Sequence, residues 1–138
     1  MHTLGFALVY KPAYDLGDRL LYADTNSPQR IRNDYLLAQI ERELEAVLGA
    51  ENVSRESEVL HKQSSDWSWI SQYLNYKELK VPTADICVWP TTAAQVAEVL
   101  RIANEYQIPV VPRGGGSGTQ GGTFAIYGGV AIDLTKMN

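Results

Sequence analysis

Apolar residues along the chain fall into stretches whose spacing predicts regular structure. Leu36, Leu37, Ile40, Leu44, Val47 and Leu48 recur at helical intervals. Upstream, Ser27-Pro28 has the arrangement of an N-cap followed by proline at the first helical position, and Gly49 supplies a stop. Ile86-Cys87-Val88-Trp89 is an unbroken apolar run of the kind found in strands buried on both faces, and Pro90 ends it. Thr92 and Gln95 then sit at capping-box spacing. Behind them Val96, Val99, Leu100, Ala103 and Tyr106 form one face of a helix from about Ala93 to Tyr106. Ile108 to Val111 reads as a second strand and Val130 to Leu134 as a third.

The resulting order is β, α, β, loop, β. A helical crossover between two short apolar strands implies that they run parallel, with a right-handed connection. Residues 1–27, with Pro12, Gly17, Asp24 and Asn26 among scattered aromatics, hold neither period for long and read as an extension. Between Glu51 and Pro82 the chain is polar and mixed, and only short helical or coil pieces are expected. The cluster Asp66-Trp67-Ser68-Trp69 lies there. Its tryptophans read as packing residues that share one side of a strand but not of a helix. His61 and Asp66 read as surface polar residues.

Composition narrows the class. The chain has 138 residues, 45% of them apolar, which is enough for a domain core. Twelve basic against sixteen acidic residues leave a net charge of −4 with no long basic run, so nucleic acid is not an expected partner. Leu4 to Tyr10 is apolar but too short to span a membrane, lacks a basic lead and a cleavage site, and soon meets Lys11 and Pro12. The expected setting is cytoplasmic. Cys87 is the single cysteine, so no intramolecular disulfide forms, and it reads as a buried structural thiol. With His2 and His61 far apart, no metal-ligand spacing is present.

Chemistry concentrates in Pro112-Arg113-Gly114-Gly115-Gly116-Ser117-Gly118-Thr119-Gln120-Gly121-Gly122, which holds six of the chain's eleven glycines. Glycine admits positive φ and lets a ligand approach the backbone, so successive N–H groups can turn inward as an anion-binding nest. Ser117, Thr119 and Gln120 add side-chain donors and Arg113 a charge, a set suited to a pyrophosphate. A flexible turn is the plainer reading, but a turn needs only one or two glycines. Gly116 to Gly121 formally matches G-x-G-x-x-G, yet no helix pattern follows and Asp133 comes too early for the ribose-binding acid of a dinucleotide fold. A P-loop would need Lys after its last glycine, where Gly122 stands, and a kinase loop would need a strand lysine soon afterwards.

Taken in order, Val81-Pro82, Val88-Trp89-Pro90, Thr92-x-x-Gln95-Val96, Ile108 to Gly118, Gly121-Gly122 and Ile132-Asp133-Leu134 resemble the FAD-linked oxidases of the vanillyl-alcohol oxidase and p-cresol methylhydroxylase type. The nearest resemblance is to the D-2-hydroxyacid branch, with its D-lactate dehydrogenases and glycolate oxidase FAD subunit, and it covers roughly Leu44 to Asn138. The fold it implies is α+β: the first subdomain of a PCMH-type FAD-binding domain, incomplete over residues 28–138, preceded by an N-terminal helix and the extension. Second subdomain, substrate-binding cap and catalytic residues would lie beyond Asn138.

The resemblance further implies that Pro112 closes the strand while Arg113, Gly114, Gly115, Gly116, Ser117, Gly118 and Thr119 wrap the FAD pyrophosphate through backbone N–H groups. Gly121 and Gly122 would lie near the flavin. Some relatives link FAD covalently through a histidine where this chain has Ser117, so FAD is expected to be non-covalent. The implied activity is oxidation of a 2-hydroxy acid or related alcohol by hydride transfer to FAD. The rival reading is a non-catalytic nucleotide-binding or assembly subunit that needs a separate partner chain. Self-association is expected in either case if apolar surface is left uncovered.

Overall fold

The structure, a computed structural model, describes residues 33–137. The Ser27-Pro28 helix start and the extension over residues 1–27 lie outside them. Helix α1 (Asp34–Leu48) is capped by Asn33, whose Oδ1 accepts the N–H groups of Tyr35 (3.0 Å) and Leu36 (3.4 Å). At its other end Gly49 takes φ +85° and donates its N–H to Glu45 O at 2.8 Å, as the stop signal predicts. The apolar stripe Leu37, Ile40, Leu44 and Leu48 is buried.

Strands β1 (Val53–Ser54), β2 (Ile86–Val88), β3 (Val110–Arg113) and β4 (Val130–Asp133) form one sheet in the order β1-β2-β4-β3. β1 is antiparallel to β2, whereas β2 and β3 both run parallel to β4. β2 and β3 are thus parallel, as predicted, but β4 is inserted between them. Helix α4 (Ala93–Glu105) therefore crosses over one strand position rather than joining neighbours. Successive strand residues point to opposite faces, which divides the core in two. Ile86, Val88, Val130 and Ile132 pack with Ile40, Leu44, Val99 and Ile102 of α1 and α4. Cys87 and Ala131 face the other way, against Val59 and Leu60 of α2 (Ser57–Gln63). The central strands are buried on both faces, which is why their sequences read as continuous apolar runs.

The α4 boundaries match the pattern, with a difference at each end. Thr92 Oγ1 accepts the Gln95 N–H (3.2 Å), but Gln95 Oε1 reaches back to the Thr91 N–H (2.8 Å) instead of Thr92. The buried seam is Val99, Ile102 and Ala103, and Leu100, assigned to the core face by spacing, is 46% exposed. The region from Glu51 to Pro82 is more regular than expected. Besides β1 and α2 it contains α3 (Trp69–Tyr76), whose short length hid it.

β3 begins two residues later than predicted and ends two later. Ile108 is buried, but Pro109 has no N–H to give a ladder, and only its carbonyl is used, accepting the Val130 N–H at 2.9 Å. Pro112, expected to close the strand, lies within it. β3 is an edge strand, where a missing N–H costs no ladder bond. At the start of β4, Gly129 adopts φ +85° with its would-be Cβ against the Pro109 carbonyl. Its N–H donates to Asp85 Oδ2 (2.7 Å), and its carbonyl accepts the N–H groups of Asp85 (2.8 Å) and Ile86 (3.2 Å). One glycine thus locks the entrances of β2, β3 and β4 together.

Cys87 is fully buried in β2, as expected. Burial, and after it the nearby charge of Asp133, push its thiol from 9.0 up to about 12. The folded state therefore holds the proton that the unfolded chain loses first. The stabilisation is fully present below pH 9.0 and is lost as pH rises from 9.0 toward about 12. Denaturant midpoints measured across this window should fall more steeply for the wild type than for Cys87→Ala; parallel curves would contradict this.

Candidate functional site

Residues 114–129 connect two adjacent parallel strands, β3 and β4. Such a connection must return along the sheet and is usually helical. Here bends and turns do it, and the glycine-rich stretch forms the first part, leaving the end of β3.

Arg113 anchors that stretch from below. It is the register partner of Asp133 across the ladder, and its Nη1 lies 3.7 Å from Asp133 Oδ2 while donating to Gly114 O at 3.1 Å. Asp133 is buried and Arg113 largely so, and the pairing replaces solvation that each charge has lost. Gly116, buried at φ +70°, lies directly over the guanidinium, and a Cβ there would overlap Arg113. The charge expected to face a phosphate is instead turned inward. The guanidinium braces the loop from within, through Gly114 O and beneath Gly116.

Beyond this anchor the loop is open. Gly114, Gly115, Ser117, Gly118, Thr119, Gln120 and Gly122 are exposed, and a Cβ at 114, 115 or 122 would meet nothing within 4 Å. Among the described residues, the N–H groups from Gly115 to Gly122 find no hydrogen-bond acceptor. Gly121 takes φ +76° beside the Phe124 ring. These are donors without acceptors on an exposed backbone with little side chain above it, which is what an anion nest requires.

A second segment supports the loop. The N–H of Trp67 donates to Gly118 O at 2.9 Å. Asp66, expected at the surface, is only 4% exposed: Oδ1 accepts the Ser68 N–H (3.0 Å), and its own N–H donates to Ser71 Oγ (3.2 Å). Ser68 in turn caps α3 by accepting the Ser71 N–H at 3.2 Å. The other carboxylate oxygen, Asp66 Oδ2, lies beneath Gly118, 3.6 Å from the position a Cβ would take. Trp67 and Trp69, expected as packing residues, are instead 75% and 60% exposed. The spacing argument assumed a strand, whereas Trp67 lies on a turn and Trp69 opens a helix. His61 is exposed, as expected.

Four buried side-chain atoms among the described residues have no hydrogen-bond partner: Gln63 Oε1, Asp66 Oδ2, Arg113 Nε and Thr123 Oγ1. Three of them border the glycine loop, at its start, beneath its middle and just past its end. Buried polar atoms ordinarily find partners, so this clustering makes the loop the candidate site. The described residues hold no group of three or more His, Cys, Asp or Glu able to bind a metal, and no helix long and apolar enough to cross a membrane. Sequence reasoning reached the loop through its glycine density. It missed Asp66, because no pattern in the sequence reveals that residues fifty positions apart share hydrogen bonds.

Residues 84–138 match the family described as FAD binding domain. The chain is 39% identical over 62 residues to a mitochondrial D-lactate dehydrogenase (cytochrome) of Arabidopsis thaliana, covering 45% of this chain and 11% of that protein. It is 46% identical over 54 residues to a D-lactate dehydrogenase of Anaerostipes hadrus (39% and 11%), and 33% identical over 54 residues to the glycolate oxidase subunit GlcD of Bacillus subtilis (39% and 12%). Among solved structures, alkyldihydroxyacetonephosphate synthase superposes with a TM-score of 0.68 at 19% identity, covering 85% of this chain and 23% of that one. For p-cresol methylhydroxylase the TM-score is 0.57 at 23% identity, with 79% and 20% covered. The fold is therefore like part of those two structures, and residues 84–138 match an FAD binding domain also similar in sequence to D-lactate dehydrogenases and a glycolate oxidase subunit. The chain spans about a ninth of the length of the curated relatives it matches.

The Arg113–Asp133 pair should be needed for the base of the loop. Arg113→Met leaves a buried carboxylate without its cation and is expected to cost about 3 kcal/mol in urea unfolding. Adding Asp133→Asn should recover part of that loss. A single variant within about 0.5 kcal/mol of the wild type, the scatter of ordinary surface changes, would contradict the assignment.

Proposed function

We propose that this FAD binding segment holds the cofactor's pyrophosphate on the loop from Pro112 to Gly122 and serves an oxidoreductase acting on a 2-hydroxy acid or related alcohol. In this reading the backbone N–H groups from Arg113 to Thr119 receive the phosphate oxygens, and Gly121 and Gly122 lie toward the flavin. The observation that carries it is the row of N–H groups from Gly115 to Gly122 without acceptors among the described residues, on an exposed loop with open space at Gly114, Gly115 and Gly122. The residues fit the group chemically. Two phosphate charges are matched by many weak donors, with the Arg113 cation already engaged by Asp133. Bound FAD supplies a hydride acceptor. This chain's own part is to orient it: Arg113 fixes one end of the loop, and the Trp67 N–H holds its middle.

The substrate class rests on the names of the relatives, several of which are D-lactate dehydrogenases. Residues 28–138 as the first part of a longer FAD domain, a partner subunit or self-association, and a cytoplasmic setting belong to the same proposal.

Gly115→Val tests the loop. Position 115 has room for a side chain and no positive φ, so the fold should be unchanged while the ligand's approach is blocked. Calorimetric titration with FAD should show at least about tenfold weaker binding, on the order of 1.4 kcal/mol. Affinity equal to the wild type would overturn the pyrophosphate assignment.

Ser117 stands where some relatives carry a linking histidine, so acid precipitation of the flavin-loaded protein should release all flavin to the supernatant. Flavin fluorescence that stays with the denatured polypeptide would contradict non-covalent binding.

A further inference from the structure

We propose that the turn Asp66-Trp67-Ser68 is a second wall of the nucleotide site, on which the Trp67 indole stacks against a planar ring of the bound dinucleotide. The inference rests on the pyrophosphate reading of the loop and adds a residue from outside it. Trp67 is bonded to the loop itself, through its N–H to Gly118 O at 2.9 Å, so its side chain springs from the rim of the glycine stretch. Its ring is nonetheless 75% exposed. An exposed indole at that rim offers a flat apolar face that a ring bound beside the loop would cover.

The turn is rigid. Asp66 is buried, its Oδ1 holds the Ser68 N–H, and Ser68 caps α3. Asp66 Oδ2 is buried without a partner beneath Gly118, so a polar group aims into the same seam from which Trp67 emerges. The Asp66 carboxylate under Gly118 concentrates the phosphate charge on the Gly114 to Ser117 part of the nest, with the Gly118 and Thr119 N–H groups at its edge, and leaves the Trp67 side for an uncharged ring. Either the adenine or the flavin has the flat π face that an indole stacks on.

Trp67→Ala tests this cleanly, because it removes the ring and keeps the backbone N–H that holds Gly118. Titrations of the chain with FAD, ADP, FMN and inorganic pyrophosphate give the arms. Stacking predicts about tenfold weaker FAD binding in Trp67→Ala, near-complete rescue in Trp67→Phe, and unchanged pyrophosphate binding. A matching loss for ADP identifies adenine as the partner, and one for FMN identifies the flavin. FAD affinity unchanged in Trp67→Ala overturns the proposal, as does an equal loss for pyrophosphate, which would mean the turn had moved. Failure of the loop reading looks different: it is unchanged FAD affinity in Gly115→Val.

Discussion

The guanidinium of Arg113 is where the sheet and the loop become one structure. On one side it meets Asp133 across the β3–β4 ladder, at 3.7 Å; on the other it lies under Gly116, where a Cβ would push the guanidinium aside and the φ of +70° favours glycine. Buried charges are tolerated when they are paired, and the pair is at the C-terminal ends of both parallel strands. That location decides where the chain can turn. The backbone must leave β3 over the guanidinium, with positive φ at Gly116, and everything downstream inherits the path. In open parallel sheets the strand C-termini are also where ligands bind.

The opposite ends of the same strands are tied by Gly129. Its N–H and carbonyl bind Asp85 and Ile86, and its would-be Cβ direction is filled by the Pro109 carbonyl. The connection from 114 to 129 is thus pinned at both ends, with the Trp67 N–H holding it in the middle. A loop fixed at three points can hold N–H groups toward solvent without collapsing onto its own carbonyls. Binding then costs less ordering than it would for a free glycine chain, which carries the largest backbone entropy of any residue. The two-faced core below supplies the stiffness: Ile86, Val88, Val130 and Ile132 on the α1 and α4 side, Cys87 and Ala131 on the α2 side.

Much of this was legible in the sequence. β2, β4 and α4 declare themselves by apolar runs and helical spacing because β2 and β4 are buried on both faces and α4 on one, whereas the two-residue β1 leaves no such signal. The glycine loop stands out by density alone. What stayed hidden is non-local. Strand order cannot be read from the β-α-β-loop-β pattern, since inserting β4 between β2 and β3 changes no local periodicity. Ile108 looked like strand because it is apolar and buried, yet Pro109 prevents pairing there. Leu100 fits the helical stripe but falls at its edge. Asp66 and Trp67 were assigned by the usual habits of their types, a carboxylate outside and an indole inside. The structure reverses both, and that reversal lies against the glycine loop.

The central claim is that this loop is an anion nest built from backbone N–H groups. Backbone amide resonances followed by NMR during titration with ADP test it most directly. Shifts concentrated in Gly114 to Gly122, with Asp66 and Trp67 moving alongside and α1 unmoved, are what the account requires. Shifts centred on another part of the domain, or none in the loop at saturating ADP, would contradict it.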